Sequence, residues 1–95
     1  MMNNEVYIKD KNLIESSIEG ETIIVPLVNS VADMNSMFSL NETAAFIWKQ
    51  IDGKKSINYI SELLQNEFTI DKETADNDTI DFVNKALKEK IILKK

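Results

Sequence analysis

The chain has 95 residues, a formal net charge of -5 and neither cysteine nor histidine, so disulfides, thiolate metal sites and a histidine general base are excluded. Its length predicts a single domain over residues 1–95, with residues 1–5 frayed at the terminus. No apolar run approaches the roughly 20 residues of a membrane helix and no secretion signal is present, so we expect a cytoplasmic protein without metal or cofactor.

The N-terminal half predicts three antiparallel strands, at Leu13–Ile18, Glu21–Leu27 and Ser36–Leu40. Glu19 and Gly20 separate the first two strands, and such a pair is typical of a tight hairpin turn because glycine adopts positive φ without strain. In the third segment Phe38 and Leu40 alternate with polar Ser39, which indicates one apolar face. The Val6–Ile8 segment before these strands is either a short strand or an extended lead-in.

Three helices are predicted after the strands. Asn41, Ser56 and Asp71 are each suited to cap a helix N-terminus, because their side-chain oxygens accept from free backbone N–H groups of the first turn. Gly53 is expected to end the first helix as its left-handed C-terminal residue. The apolar stripe of the first helix consists of Ala44, Ile47, Trp48 and Ile51, which places the single tryptophan in the core.

The third helix carries two adjoining apolar stripes. The first, at ordinary core spacing, consists of Ala75, Thr79, Phe82, Val83 and Ala86. The second consists of Ile80, Leu87 and Ile91, and it widens the apolar arc beyond what a small core needs. Either this helix packs on two sides or it offers an apolar groove to a partner. Ile91–Leu93 either ends the helix or runs extended over the core.

These elements together predict an α+β fold of winged helix-turn-helix type. A three-stranded antiparallel sheet comes first, and three α-helices follow it.

The middle of the sequence resembles a known family. The run Leu-Asn-Glu-Thr-Ala-Ala-Phe-Ile-Trp from Leu40 to Trp48, followed by Asp52 and Gly53, is similar to the signature of PqqD-like proteins. The downstream part of the resemblance consists of Ile57, Ile60, Leu63, Leu64, Phe68, Asp78, Phe82 and Val83. PqqD-like proteins are the recognition domains of pathways that modify ribosomally made peptides.

The resemblance covers about residues 13–93 and has two departures. Family members commonly carry glycine where this chain has Lys90, and often valine where it has Thr79. The resemblance implies a non-catalytic peptide chaperone that holds the leader of a precursor peptide and presents it to a modifying enzyme. That enzyme would be a radical SAM maturase or else the leader peptidase of a lasso-peptide pathway.

In this family the leader adds as an extra strand beside the third strand and packs against the third helix, a mode known as β-augmentation. The Ser36–Leu40 segment would supply the strand edge, and Ile80 and Leu87 would supply an apolar wall, with Val83 shared between core and groove. The predicted peptide-binding residues are Ser36, Met37, Phe38, Ser39, Leu40, Asp76, Ile80, Val83, Asn84 and Leu87.

DNA binding and catalysis fit the sequence less well than leader binding, whereas a structural module fits it equally well. A winged helix suggests DNA binding, but residues 71–78 at the start of the third helix hold four acids and one lysine, which would repel phosphates. Asp76, Asp78 and Asp81 are close enough in sequence for acid–base chemistry, yet acidic residues near a helix start are also an ordinary solvated face. A structural or oligomerising winged-helix module without leader binding stays open as the alternative.

Overall fold

The structure, a computed structural model, describes residues 4–29 and 31–95. Residues 1–3, which belong to the segment predicted to be frayed, lie outside this range. Within it, Asn4 and Glu5 are bonded to the second helix: Asn58 Nδ2 donates to Asn4 Oδ1 at 2.8 Å, and the Ile57 N–H donates to the Glu5 carbonyl at 3.0 Å. The terminal segment is therefore held to the domain from Asn4 onward.

Over the described residues, the elements follow the predicted order, with five strands before the three helices and a sixth strand after them. The strands are β1 (Tyr7–Lys9), β2 (Leu13–Ile18), β3 (Glu21–Val28), β4 (Val31–Ala32), β5 (Phe38–Leu40) and β6 (Ile92–Lys94), with a 3₁₀ turn at Met34–Ser36. The helices are α1 (Glu42–Gln50), α2 (Ile57–Phe68) and α3 (Lys72–Lys88). The predicted α+β class, with an antiparallel sheet followed by three helices, is confirmed.

The β2–β3 hairpin has the predicted turn and the predicted bounds of β2, and β3 extends one residue beyond its predicted end, to Val28. Both turn residues, Glu19 (φ 53°) and Gly20 (φ 81°), adopt the left-handed conformation that a two-residue type I′ turn requires. The strands pair from Leu13 opposite Pro26 to Ile18 opposite Glu21. β3 is the central strand, because β4 and β5 both pair with its other side.

The third predicted strand is shorter than expected. β5 begins at Phe38, whereas Ser36 belongs to the 3₁₀ turn and Met37 links that turn to the strand. The physical reason is Asp33, whose carboxylate accepts from the Ser36 hydroxyl at 2.9 Å and from the Asn35 N–H at 3.2 Å, so the backbone is bent before the strand starts.

The two ambiguous terminal segments form a ribbon with each other. β1 pairs with β6 from Tyr7 opposite Lys94 to Lys9 opposite Ile92. The chain reaches β6 through a left-handed residue after α3, Lys90 (φ 61°), while the Ile91 N–H donates to the Ala86 carbonyl at 3.0 Å. This is the hydrogen bonding of a Schellman motif, whose left-handed position usually holds glycine.

All three predicted N-caps are present, with Asn41, Ser56 and Asp71 accepting from the backbone of their helices. The end of α1 differs from the prediction, because its C-terminal cap is Ile51 rather than a segment that reaches Gly53. Gly53 (φ 80°) instead lies against β1, where an added Cβ would stand 2.9 Å from the Ile8 Cγ2 atom. The positive φ favours glycine there, and a larger residue would also have to displace the Ile8 side chain.

The core lies between the helix-facing side of the sheet and the three helices. Trp48 is fully buried at its centre, and its indole N–H donates to Glu15 Oε1 on β2 at 2.7 Å. The other fully buried large side chains are Ile24, Ile47, Ile60, Leu64, Ile91 and Ile92. This core fixes where α3 lies relative to β5, and so determines the site described next.

Candidate functional site: a groove between β5 and α3

The direction of the backbone groups on β3 follows from one hydrogen bond. The Asp33 N–H donates to the Pro26 carbonyl at 2.8 Å, so this carbonyl points toward the side of β3 that carries β4 and β5. Carbonyl directions alternate along a strand, so the carbonyls of Ile24 and Thr22 point to the same side. β3 therefore presents its backbone to β5 at these two positions.

Phe38 and Leu40 lie opposite those two residues, so their backbone groups are turned toward β3. The intervening residue, Ser39, turns its N–H and carbonyl the other way, toward the outer edge of β5. No further strand pairs with that edge within residues 4–29 and 31–95. An unpaired edge of this kind is a template for an added strand.

A groove of about 270 Å³ lies beside this edge, between β5 and α3. Its apolar surface comes from half-buried Phe38 and buried Leu40 on β5, from half-buried Ala44 on α1, and from buried Phe82 and Ala86 on α3. The groove is therefore apolar at its base, where alternate side chains of an added strand would point.

Charged side chains of α3 border the groove. Asp78, Asp81 and Lys85 line it, and the Lys85 Nζ atom stands 5.6 Å from the centre of the Phe38 ring. A cation at this distance interacts favourably with an aromatic face. The groove thus combines an apolar base with a mixed-charge border, an arrangement found at peptide and protein interfaces.

The structure places five of the predicted site residues at or before β5. Phe38, Ser39 and Leu40 line the groove. Met37 precedes the strand with 45% of its surface exposed, and Ser36 is bonded to Asp33 in the 3₁₀ turn. Of the five predicted strand residues, only the last three therefore line the groove.

The predicted site residues of α3 lie on a different side of the helix from the groove. Asp76 Oδ1 accepts from the buried Ser61 hydroxyl of α2 at 2.6 Å, which shows that this side of α3 faces α2. Ile80, one turn later, is half-buried against the core, while Val83 is buried. Ile80 and Lys85 are five residues apart, and each residue turns the helix by about 100°. Their side chains therefore leave the helix roughly 140° apart.

Leu87 lies on the same side of α3 as Ile80 and is 38% exposed, whereas Asn84 is exposed on the outside of the helix. Peptide binding by Asp76, Ile80, Val83, Asn84 and Leu87 stays a prediction. The helix residues that line the groove are a different set.

Sequence reasoning missed the residues that supply the helix wall of the groove. They are Asp78, Asp81, Phe82, Lys85 and Ala86, together with Thr43 and Ala44 of α1. The sequence pattern assigns Phe82 and Ala86 to the core stripe and Asp78 and Asp81 to a solvated face, and it gives Lys85 no role. Apolar periodicity carries no signal for which flank of a core stripe borders a groove, because neighbouring elements decide that.

Hydrogen bonding to Asp76 lowers the pKa of its carboxyl group, first through Lys72 and then through Ser61. The Lys72 Nζ atom lies 2.6 Å from Asp76 Oδ2. Asp76 therefore joins two turns of α3 to α2 as an anion, and it is separated from Asp78 and Asp81 in the groove.

The described residues contain neither a metal-ligand cluster nor a helix that could cross a membrane. Over residues 4–29 and 31–95 there is no group of three or more aspartate, glutamate, histidine or cysteine side chains that could hold a metal ion. In that same part of the chain, no helix has the length and apolar character needed to cross a membrane.

Comparison with known proteins gives one family and two similar folds. Residues 21–92 match the family described as coenzyme PQQ synthesis protein D (PqqD). No curated protein matches the chain. The solved structure of TbiB1 in complex with the TbiA(beta) leader peptide is similar with a TM-score of 0.72 and 18% identity, over 90% of this chain and 93% of that one.

The second similar fold is lasso peptide synthetase B1 complexed with the leader peptide. Its TM-score is 0.75 at 15% identity, and the match covers 92% of this chain and 96% of that one. At such identities the similarity concerns the arrangement of strands and helices.

Proposed function

The chain belongs to the PqqD family, and from that membership we propose that it binds the leader of a ribosomally made precursor peptide and presents it to a modifying enzyme. The observation that carries the proposal is the unpaired edge of β5 beside a groove with an apolar base. Both similar structures are described as complexes with a leader peptide, which supports the same role here.

The leader would bind as an extra strand along β5. Ser39 supplies one N–H donor and one carbonyl acceptor, and each backbone hydrogen bond stabilises the complex by about 0.5–1.5 kcal/mol net. An apolar leader side chain buried on Phe38 and Phe82 contributes about 1.5–3 kcal/mol more. Because ordering an extended peptide opposes both terms, binding needs the backbone hydrogen bonds of the edge as well as the groove, and the groove adds selectivity for side chains.

The proposed role needs no catalytic group on this chain. The modifying enzyme would be a radical SAM maturase or the leader peptidase of a lasso-peptide pathway, acting in the cytoplasm on the part of the precursor that is not held. The peptide contacts of the proposal are Phe38, Ser39 and Leu40 on the edge, with Asp81, Phe82 and Lys85 opposite them.

A pair of proline substitutions tests this site. Ser39→Pro removes the only outward N–H of β5 but no bond of the β3–β5 ladder, so the fold should be kept and the affinity for the leader encoded beside the gene should fall about tenfold or more. Titration of labelled protein with that leader gives the affinity, and circular dichroism checks the fold.

The matched control is Ser17→Pro on the other edge of the sheet. The Leu27 N–H donates to the Asn12 carbonyl at 2.8 Å, so the backbone N–H and carbonyl groups of even-numbered β2 residues point toward β3. The backbone groups of Ser17 therefore point outward, as those of Ser39 do. Ser17→Pro should bind the leader like the natural protein. Equal binding by Ser39→Pro would contradict the proposal.

A second candidate function is an oligomerising module, and the outer face of the sheet favours it. Glu15 reaches the core tryptophan, so Ile14 and Ile18 of β2 point to the opposite face, where they are 45% and 55% exposed. Sedimentation of the natural protein and of Ile18→Lys decides between the two: a stable oligomer lost in the variant, without leader binding, would favour the module.

A further inference from the structure

A second cleft lies at the Leu40 end of β5, between the hairpin turn, α1 and the C-terminal end of α2. Its volume is about 900 Å³. Leu40, Ala45, Phe46 and Phe68 form an apolar floor, in which the two phenylalanine rings meet edge to face with centroids 5.7 Å apart. Ala45 and both phenylalanines are only half-buried, so part of this aromatic surface is exposed in the cleft.

The rim of the cleft is strongly acidic. Glu19, Glu21, Glu42 and Glu67 line it with a single cation, Lys49, and all five side chains are exposed. Within the described part of the chain, none of the four carboxylates forms an ion pair. An apolar floor inside an unbalanced acidic rim is complementary to a segment that carries both apolar and basic side chains.

Lysine and arginine fit such a cleft for a specific reason. Their hydrocarbon stems pack on apolar surface while the charged group stays at the boundary with water. Here the stem would lie on the Phe46–Phe68 pair and the charge would reach the glutamates of the rim. A free carboxylate of the ligand would meet four like charges instead.

The cleft and the groove share part of their lining at the Leu40 end of β5. Ser39, Leu40 and Asn41 line both of them. A strand added along β5 therefore reaches the cleft as it passes the Leu40 end. Since β5 has only three residues, a bound peptide gains few backbone partners there and must make its further contacts beyond the strand.

From this shared lining and the charge of the rim we infer that the acid-rimmed cleft binds the stretch of the same leader that runs past Leu40, and that it selects a stretch with an apolar side chain next to lysine or arginine. The inference rests on the proposed function, whose site it extends. It assigns the specificity for basic residues to Glu21, Glu42 and Glu67, which lie outside the groove.

The cleft can be tested without the natural leader. Acetyl-Lys-Leu-Phe-Lys-amide titrated into labelled protein should shift the backbone amides of residues 42–49 and 66–68, whereas acetyl-Glu-Leu-Phe-Glu-amide at the same concentration should leave them in place. Equal shifts with both peptides, or shifts elsewhere only, would overturn the inference.

Charge reversals then test the natural leader. Glu67→Lys lies at the cleft near the end of α2, where a cation suits the helix dipole, and should weaken leader binding about tenfold. Glu62→Lys makes the same charge change on the same helix outside the cleft lining and should leave binding unchanged.

The outcomes separate the two proposals. If Ser39→Pro weakens binding and Glu67→Lys does not, the cleft inference fails and the groove stands. If the leader does not bind the natural protein at all, the proposed function fails, while selective shifts by the lysine tetrapeptide would still show that the cleft takes basic apolar segments. If the cleft amides respond only to the modifying enzyme, the cleft is an enzyme-docking surface and the inference is overturned.

Discussion

On the side of α3 that faces β5, Asp78, Asp81 and Lys85 line an open groove, whereas on the side that faces α2, Asp76 is bonded to Ser61 and Ile80 packs against the core. The two sides flank one buried stripe, in which Thr79 is fully buried and its hydroxyl donates to the Ala75 carbonyl at 2.8 Å. The more polar side is thus the one beside the unpaired strand edge.

Apolar character therefore does not mark the side of α3 that borders the groove. The apolar residues next to the core stripe are used in packing against the rest of the domain. The apolar base of the groove between β5 and α3 consists of core residues that are partly reachable from the surface, such as Phe82, and of side chains of β5. Variants on the side that faces α2 should therefore change stability, and variants on the groove side should change leader affinity.

The largest expected effect comes from Ile80→Asp. Because Ile80 is half-buried against the core, an aspartate there loses apolar contact and places a charge near it, which should lower the free energy of unfolding by about 2–3 kcal/mol. Urea unfolding measures this. The affinity of the folded protein for the leader should stay within about twofold, since Ile80 faces away from Lys85.

Ser39→Pro is the counterpart on the groove side, with affinity lost and stability kept. If Ile80→Asp instead keeps its stability and loses the leader, the second apolar stripe is the peptide wall after all. That result would revise the groove proposal and favour the wall that the family resemblance implies.

A smaller effect is expected from Ser61→Ala on the α2 side. It removes the 2.6 Å hydrogen bond to Asp76 and should lower the free energy of unfolding by about 1 kcal/mol at neutral pH, without changing leader affinity. Ser56→Ala, which removes the N-cap of the same helix, serves as a comparison of similar size that does not involve α3.

The pH dependence gives Ser61→Ala its own signature. The pKa of Asp76 is lowered in the folded protein, so its contribution to stability is present above the ordinary value of 3.8 and is lost as the pH falls through the lowered pKa. The stability difference between Ser61→Ala and the natural protein should therefore shrink on acidification through that range. A difference constant with pH would show that Ser61 acts by packing alone.

The smallest effect is expected beyond the end of α3, at Lys90. Its left-handed backbone (φ 61°) strains a lysine but not a glycine, so Lys90→Gly should raise the free energy of unfolding by about 0.5–1 kcal/mol. Lys88→Gly, in the last turn of α3, should lower it by about 0.5 kcal/mol, because glycine weakens a helix. Neither change should affect leader affinity, and loss of binding in both would place a contact at the end of the helix.

Local chemistry accounts for the features that the sequence predicted well. A capping side chain, a two-residue turn or a helical stripe depends on neighbours within a few positions, so Asn41, Ser56 and Asp71 cap their helices and Gly20 turns the hairpin as predicted. The bend at Ser36 was missed because a carboxylate three residues earlier competes with the strand. The family signature likewise depends on residues adjacent in the chain.

The sequence by itself determined the three helices, the strands β2, β3 and β5 that precede them, the burial of Trp48 and the membership of the PqqD family. Only the tertiary structure decided that β1 pairs with β6, that Gly53 packs under Ile8, and which side of α3 borders the groove. Each of these depends on how distant segments dock, and a helix stripe has the same periodicity whichever flank its neighbours leave open.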